Sequence, residues 1–361
     1  MSEAAPIEAA PARARANPTR RRYRTLVVRR LVILGALALV VIGGLVADLM
    51  LGPARYSVGD VVAAILSPEA VRPAVRVVIW DIRLPVALMA VLTGASLAIA
   101  GALMQTILNN PLASPFTLGI SAAAGFGASL ALAFGVALVP LAPDYVVPLN
   151  AFVMAAAAAL LIHALARLRG VTGETMILVG IALVFTFNAL MSLLQFFSSD
   201  QALAAIVFWT MGSLTKATWT KLALTGAVLA LVLPFFVRNA WALTALRLGD
   251  DKAASFGVPV GRLRLQTMLL VSLLAAVPVS FVGTIGFVGI VGPHIARLLV
   301  GEEQRYFLPA SALAGAAILS VASVASKSIL PGLVFPISIV TALIGLPFFF
   351  ALVLGGRRHA S

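Results

Sequence analysis

Ten apolar runs, most of them close to twenty residues long, divide this chain and restrict it to a membrane-embedded fold. They cover roughly residues 31–51, 85–107, 115–138, 148–166, 176–197, 222–237, 266–282, 285–300, 307–323 and 336–354. About 20 apolar residues in a helix cross the hydrocarbon of a bilayer. Inside lipid the backbone must satisfy its own hydrogen bonds, so these runs are expected to be helices. The alternating segments of about ten residues that a transmembrane barrel needs are not seen. Hydrophobic residues make up 61% of the chain and charged residues 11%, against roughly 25% charged in soluble domains. A water-soluble fold with this composition could not cover itself.

The net charge of +13 is unevenly placed. Arg13, Arg15, Arg20, Arg21, Arg22, Arg24, Arg29 and Arg30 all precede the first apolar run. A basic tail beside a membrane helix reads as a topology signal with some attraction to anionic lipid, not as a nucleic-acid site. Residues 1–30 are expected to form a disordered cytoplasmic tail. The run 31–51 is too long for the core of a cleaved signal, about 7–15 residues. With the amino terminus inside and ten crossings, 19 Lys and Arg fall on the cytoplasmic side and 7 outside; without the tail the split is 11 to 7. Both termini, the short tail 357–361 included, are therefore expected in the cytoplasm, with 31–356 as one domain in the cytoplasmic membrane.

Two polar interruptions stand out. Residues 238–264, cytoplasmic in this topology, centre on Leu248-Gly-Asp-Asp-Lys-Ala-Ala-Ser-Phe-Gly-Val258. The pattern predicts a short helix from Asp250, ended by Gly257 as its C-terminal cap. Residues 197–221 are expected as an external segment, with Trp209 and Trp219 marking the membrane interface.

Recognisable chemistry is sparse. The chain has no cysteine, no phosphate-binding G-x-x-x-x-G-K-[ST] loop and no H-E-x-x-H zinc motif. If ATP drives it, another chain must bind the nucleotide. The three histidines are far apart, and His294, after Pro293, reads as a packed or capping residue rather than a metal ligand. Asp48 is the only acid within a predicted span. That argues against an ion-coupled secondary transporter, the alternative class, which carries carboxylates well inside its spans. Gly283, Gly286, Gly289 and Gly292 recur every third residue, a pattern of close helix packing first and of backbone bending second. Asn188 and Gln195 lie seven residues apart on one span and so on similar faces. Facing a translocation path and making a helix–helix hydrogen bond both stay open for them.

Three stretches resemble the FecCD-type permeases of ABC importers for iron–siderophore, haem and cobalamin. The first runs from Asp81-Ile-Arg-Leu-Pro85 through Gly94-Ala-Ser-Leu-Ala-Ile-Ala-Gly-Ala-Leu-Met-Gln105 to Asn110-Pro-Leu-Ala-Ser-Pro115. The second is the cytoplasmic Leu248–Val258 segment. The third is Gly286-Phe-Val-Gly-Ile-Val-Gly-Pro-His-Ile-Ala-Arg-Leu-Leu-Val-Gly301, followed by Leu308-Pro-Ala-Ser-Ala-Leu-Ala-Gly315 and Ile339-Val-Thr-Ala-Leu-Ile-Gly-Leu-Pro-Phe348. They occur in the family's order and spacing.

The resemblance implies an all-α membrane protein of about ten spans with the type II importer architecture. It implies a second permease subunit, expected to be another copy of this chain. Two ATPase subunits would hold ATP and Mg²⁺, with no cofactor on this chain, and an extracytoplasmic binding protein would deliver a metal chelate. Leu248, Gly249, Asp250, Asp251, Ala254, Phe256, Gly257 and Val258 would couple to the ATPase. Gln105, Asn188 and Gln195 are the candidates for the path. Arg83 matches the first arginine of the family's R-L-P-R, and Lys327 stands for the arginine of A-D-x-x-A-R, here Ala322-Ser-Val-Ala-Ser-Lys327. Both are expected to dock the binding protein, assisted by Arg72 and Arg76. Val86 occupies the second arginine position.

Overall fold

The computed structural model describes residues 18–139, 143–165, 173–330 and 332–356. All regular structure among them is helical. The elements are α1 (Pro18–Met50), α2 (Val58–Leu66), α3 (Pro73–Val77), α4 (Leu84–Ile107), α5 (Ile120–Phe134), α6 (Pro143–Leu165), α7 (Gly173–Phe196) and α8 (Asp200–Thr210). They continue with α9 (Trp219–Arg238), α10 (Ala240–Leu246), α11 (Asp250–Ser255), α12 (Val260–Val282), α13 (Val288–Val300), α14 (Gln304–Ser328) and α15 (Ile337–Gly356).

Each of the ten expected spans meets a helix. Among the described residues seven helices are long and apolar enough to cross a membrane, and α5, α13 and the apolar part of α15 are shorter. The chain is an all-α, multi-pass membrane protein. The tail differs from expectation: residues 18–30 are helical and continuous with the first span, while residues 1–17 and 357–361 lie outside the described residues.

Helix α4 forms the centre. In its most apolar window 83% of residues are buried, against 6% for α7, so α4 is enclosed by protein and α7 lies at the rim. Small residues permit this. A Cβ on Gly101 would overlap the carbonyl of Gly289 on α13, and one on Gly94 would overlap the carbonyl of Gly315 on α14. Gly292 faces Ala98 and Gly315. Helices in lipid gain their association from such close backbone approach. The three-residue glycine pattern is thus packing at Gly289 and Gly292, whereas Gly286 has open space around it.

The segment 197–221 departs from the expected surface loop. Helix α8 turns back into the bundle against α5, and Trp209 is buried. Non-helical backbone follows, and inside a membrane protein it must find partners. Ser213 N–H donates to Val282 O at 2.7 Å, Ile337 N–H to Gly212 O at 3.2 Å and Ser338 N–H to Met211 O at 3.1 Å. The hydroxyls of Thr284 and Ser338 donate to Thr210 O and Thr284 O. Three interrupted segments thereby satisfy one another. Gly212 (φ 68) and Gly283 (φ 81) take left-handed conformations and pack against each other, where a side chain has neither the room nor the backbone geometry.

Candidate functional site

At one end of the bundle, α10 and α11 form a projecting elbow. Gly249 (φ 101) turns the chain between them. Helix α11 ends on Gly257 (φ 81), as the sequence predicts. Gly257 N–H donates to Ala254 O at 2.9 Å and Val258 N–H to Ala253 O at 3.1 Å. This left-handed cap pairs carbonyls that would otherwise be orphaned. Leu248, Asp251, Ala254, Phe256 and Gly257 are exposed, whereas Ala253 and Val258 are buried beneath the elbow. Of the expected coupling residues, Val258 therefore anchors the elbow and does not extend its surface.

Charged side chains tie the elbow to the bundle. Arg264 on α12 donates to both carboxylate oxygens of Asp250, at 2.8 and 3.0 Å, and to Ile107 O at the end of α4, at 2.9 Å. Arg247, just after α10, pairs with Glu302 in the turn between α13 and α14. Arg297 on α13 lies 2.9 Å from the same carboxylate and donates to Gln105 Oε1 on α4 at 2.8 Å. Gln304 Nε2 donates to Thr106 Oγ1 at 3.0 Å. Gln105 is fully buried in this junction. Its carboxamide, a candidate for the translocation path, accepts from Arg297 within this chain. A polar cleft of ≈ 500 Å³ opens beside the elbow, lined by Asn109, Glu174, Asp250 and Arg264 among others.

Asn188 is exposed and Gln195 half-buried, both on the rim helix α7. His294 packs edge-on against Phe348, with ring centres 5.6 Å apart. No cluster of potential metal ligands occurs among the described residues.

At the opposite end a small cap of α2 and α3 covers the end of α1, built around Leu49, Val61, Ala64, Val75 and Ile79. Ser57 and Asp60 form a reciprocal N-cap on α2, and the Ser57 backbone and hydroxyl donors hold the Asp60 carboxyl below its ordinary value. A π-helical turn, Val78–Arg83, joins α3 to α4 and directs Arg83 inward. Arg83 is buried, donates to Leu49 O at 2.6 Å and to Ala54 O, and lies over the Tyr56 ring. Lys327 is also turned inward, 2.8 Å from Asp48. Neither cation expected to dock a partner stands free on the surface. The apolar and backbone groups that Arg83 clamps are distant in sequence, which left no local signal of this burial. Arg72 is exposed, and Arg76, also exposed, pairs with Glu69 at 2.9 Å.

The model of the FecCD transport family matches residues 37–355. The chain is 38% identical to the Fe(3+)-citrate import system permease protein of Bacillus subtilis, over 76% of this chain and 81% of that one. It is 34% identical to the hemin transport system permease protein of Yersinia pestis, over 78% and 85%. It is also 34% identical to the molybdate import system permease protein of Haemophilus influenzae, over 86% and 93%. A solved structure of a metal-chelate type ABC transporter in an inward-facing conformation superposes with a TM-score of 0.78 at 33% identity, covering 90% of this chain and 99% of that one. A glycine-packed bundle of ten apolar helices, a capped elbow at one end, and matches along nearly the whole length agree on one assignment: the chain belongs to the FecCD transport family and is the permease of an ABC importer.

Proposed function

We propose that this permease carries a metal chelate, an iron complex foremost, from an extracytoplasmic binding protein across the cytoplasmic membrane, with both termini inside. The observation that carries the reading is the elbow. A two-turn helix fixed by a left-handed cap and anchored through Asp250–Arg264 presents Leu248, Asp251, Ala254 and Phe256 outward. Such a knob can seat in a cleft of an ATPase and pass its movement to α4, α12 and α14. Two ATPase subunits hold ATP and Mg²⁺, and this chain binds neither. A second copy of the chain completes the path. The exposure of α7, with Asn188 and Gln195 on it, supports that helix as the surface facing the path or the second copy. Arg72 and Arg76, exposed at the opposite end, are candidate cations for the binding protein; Arg83 and Lys327 hold the platform beneath them.

Relatives serving ferric citrate, hemin and molybdate make cargo the open variable within this reading. The test is co-purification with the ATPase, then uptake into proteoliposomes with the binding protein present, using ferric chelates, haem, cobalamin and molybdate in turn. ATP-dependent uptake of an iron complex, lost in Gly257→Pro, is the expected result. Uptake driven by an ion gradient with no ATPase bound would overturn the importer reading, and uptake of molybdate alone would overturn the cargo. Accessibility of a single cysteine introduced near either terminus tests the orientation.

A further inference from the structure

A groove opens on the bundle where α6, α9 and α12 meet. It holds ≈ 240 Å³ and is lined by Tyr145, Leu149 and Phe152 of α6, Leu224 and Val228 of α9 and Phe281 of α12. Ser280 borders it too, but its hydroxyl already donates to Val277 O at 2.7 Å, so the walls present apolar surface. Tyr145 and Leu224 are 39% and 47% exposed. Helices α6 and α9 begin at this end and α12 finishes there. From Tyr145 to Phe152, α6 rises about 10 Å, within the roughly 15 Å of hydrocarbon that one leaflet contributes. A single turn of a helix 10–12 Å across fills more than about 400 Å³. The space therefore admits a hydrocarbon chain and not a neighbour's helix.

Opposite charges flank the mouth. Lys221 stands three residues before Leu224, on the groove side of α9. Side chains on a helix lean toward its amino-terminal end, here the membrane surface. Lys221 Nζ donates to Lys216 O at 2.8 Å, which leaves two N–H donors. Asp144, in the first turn of α6, directly precedes Tyr145. Asp144 and Lys216 both act on Lys221 through space. Yet neither Asp144 nor Lys221 makes an ion pair among the described residues. An exposed carboxylate and a half-buried ammonium thus stand near one another, above an apolar groove, without closing on each other.

We propose that this groove holds an acyl chain of phosphatidylethanolamine, whose phosphate accepts from Lys221 and whose ammonium donates to Asp144. A choline headgroup has no N–H to give Asp144, and a glycerol headgroup brings it no cation, so the divided charge selects the ethanolamine. That the lipid belongs to the outer leaflet rests on the inside orientation of both termini given above; the site itself does not.

Native mass spectrometry of the full-length permease, with phosphatidylethanolamine and phosphatidylcholine in competition, tests it. The parent protein is expected to retain phosphatidylethanolamine in preference. Asp144→Asn lowers that preference about tenfold, the scale of a hydrogen bond to a charged group. Lys221→Gln lowers retention of both lipids, because both carry the phosphate. Val228→Trp, which fills the groove, does the same. Equal retention of the two lipids by the parent, or a preference unchanged in Asp144→Asn, overturns the site. If Val228→Trp separates paired permeases and leaves the lipid preference as it was, the groove is a seam between copies and the lipid site falls. Labelling of a terminal cysteine from the outside would overturn the leaflet alone, since the preference between lipids is read without reference to sidedness.

Discussion

Lys327 Nζ on α14 lies 2.8 Å from Asp48 Oδ1 on α1, and the Ser323 hydroxyl, one turn below Lys327, donates to the same carboxylate at 3.0 Å. Asp48 is fully buried. In the pattern this family follows on α14, A-D-x-x-A-R, position 323 would be the acid; here it is serine, and α1 supplies the carboxylate. The pair therefore links two helices where the family pattern places both charges on one. Removing one member of a buried pair leaves an uncompensated charge, at a cost of about 3–5 kcal/mol. Lys327→Met and Asp48→Leu are each expected to lower the thermal unfolding temperature in detergent, and the double variant to recover most of the loss. Equal melting of all four proteins would show that the pair contributes nothing.

Arg247 and Glu302 make the second such link, between the elbow and the turn joining α13 to α14. If the elbow transmits ATPase movement, breaking this pair separates hydrolysis from transport. Glu302→Gln is expected to leave ATPase co-purification intact and to reduce uptake per ATP hydrolysed. Arg247→Glu/Glu302→Arg restores part of it, because Arg297 also depends on the Glu302 carboxylate. A double-mutant cycle on uptake should give a coupling of about 1–3 kcal/mol. Strict additivity would remove the pair from the pathway.

The sequence made much of this architecture legible, and its failures share a cause. Long apolar runs announce helices because lipid leaves the backbone no other partner, and a glycine after a short polar helix announces its cap. What could not be read was direction. Arg83 and Lys327 sit among loop residues that look exposed, yet the cap of α2 and α3 and the carboxylate of Asp48 turn them inward. Gln105 closes an apolar span, and its partner Arg297 is 192 positions away. The segment around Trp209 falls outside by the count of crossings, whereas packing of α8 on α5 and hydrogen bonds to residues 282, 284 and 337–338 draw it into the bundle. The one available signal was the survival of charged residues at the ends of otherwise apolar runs, which marks polar junctions without naming partners.

The glycine seam between α4, α13 and α14 gives a sharper contrast. Gly101→Ala would drive a methyl group into the Gly289 carbonyl, and Gly315→Ala into Gly94 and Ala98. Overpacking of this kind costs about 1–3 kcal/mol or more, and both variants are expected to lose folded yield. Gly286→Ala, with nothing within 4 Å of the added carbon, is expected to express and transport normally. Transport lost in Gly286→Ala with normal yield would instead assign that glycine to backbone bending.

The elbow itself separates folding from partnership. Leu248 and Phe256 are 56% and 55% exposed, so truncating them removes little from the permease alone. As buried anchors in an ATPase cleft they would each be worth about 2 kcal/mol, the scale of interface hot spots. Leu248→Ala and Phe256→Ala are therefore expected to melt with the parent protein in detergent while retaining roughly thirtyfold less ATPase per substitution. Gly257→Ala acts differently. Its φ of 81 costs an alanine about 1–2 kcal/mol, and open space around the position removes any steric contribution. The cap should fray, α11 should lose its fixed direction, and ATPase retention should fall although no contact residue has changed. If Leu248→Ala and Phe256→Ala keep full ATPase retention, the knob is not the seat of the ATPase, whatever Gly257→Ala does.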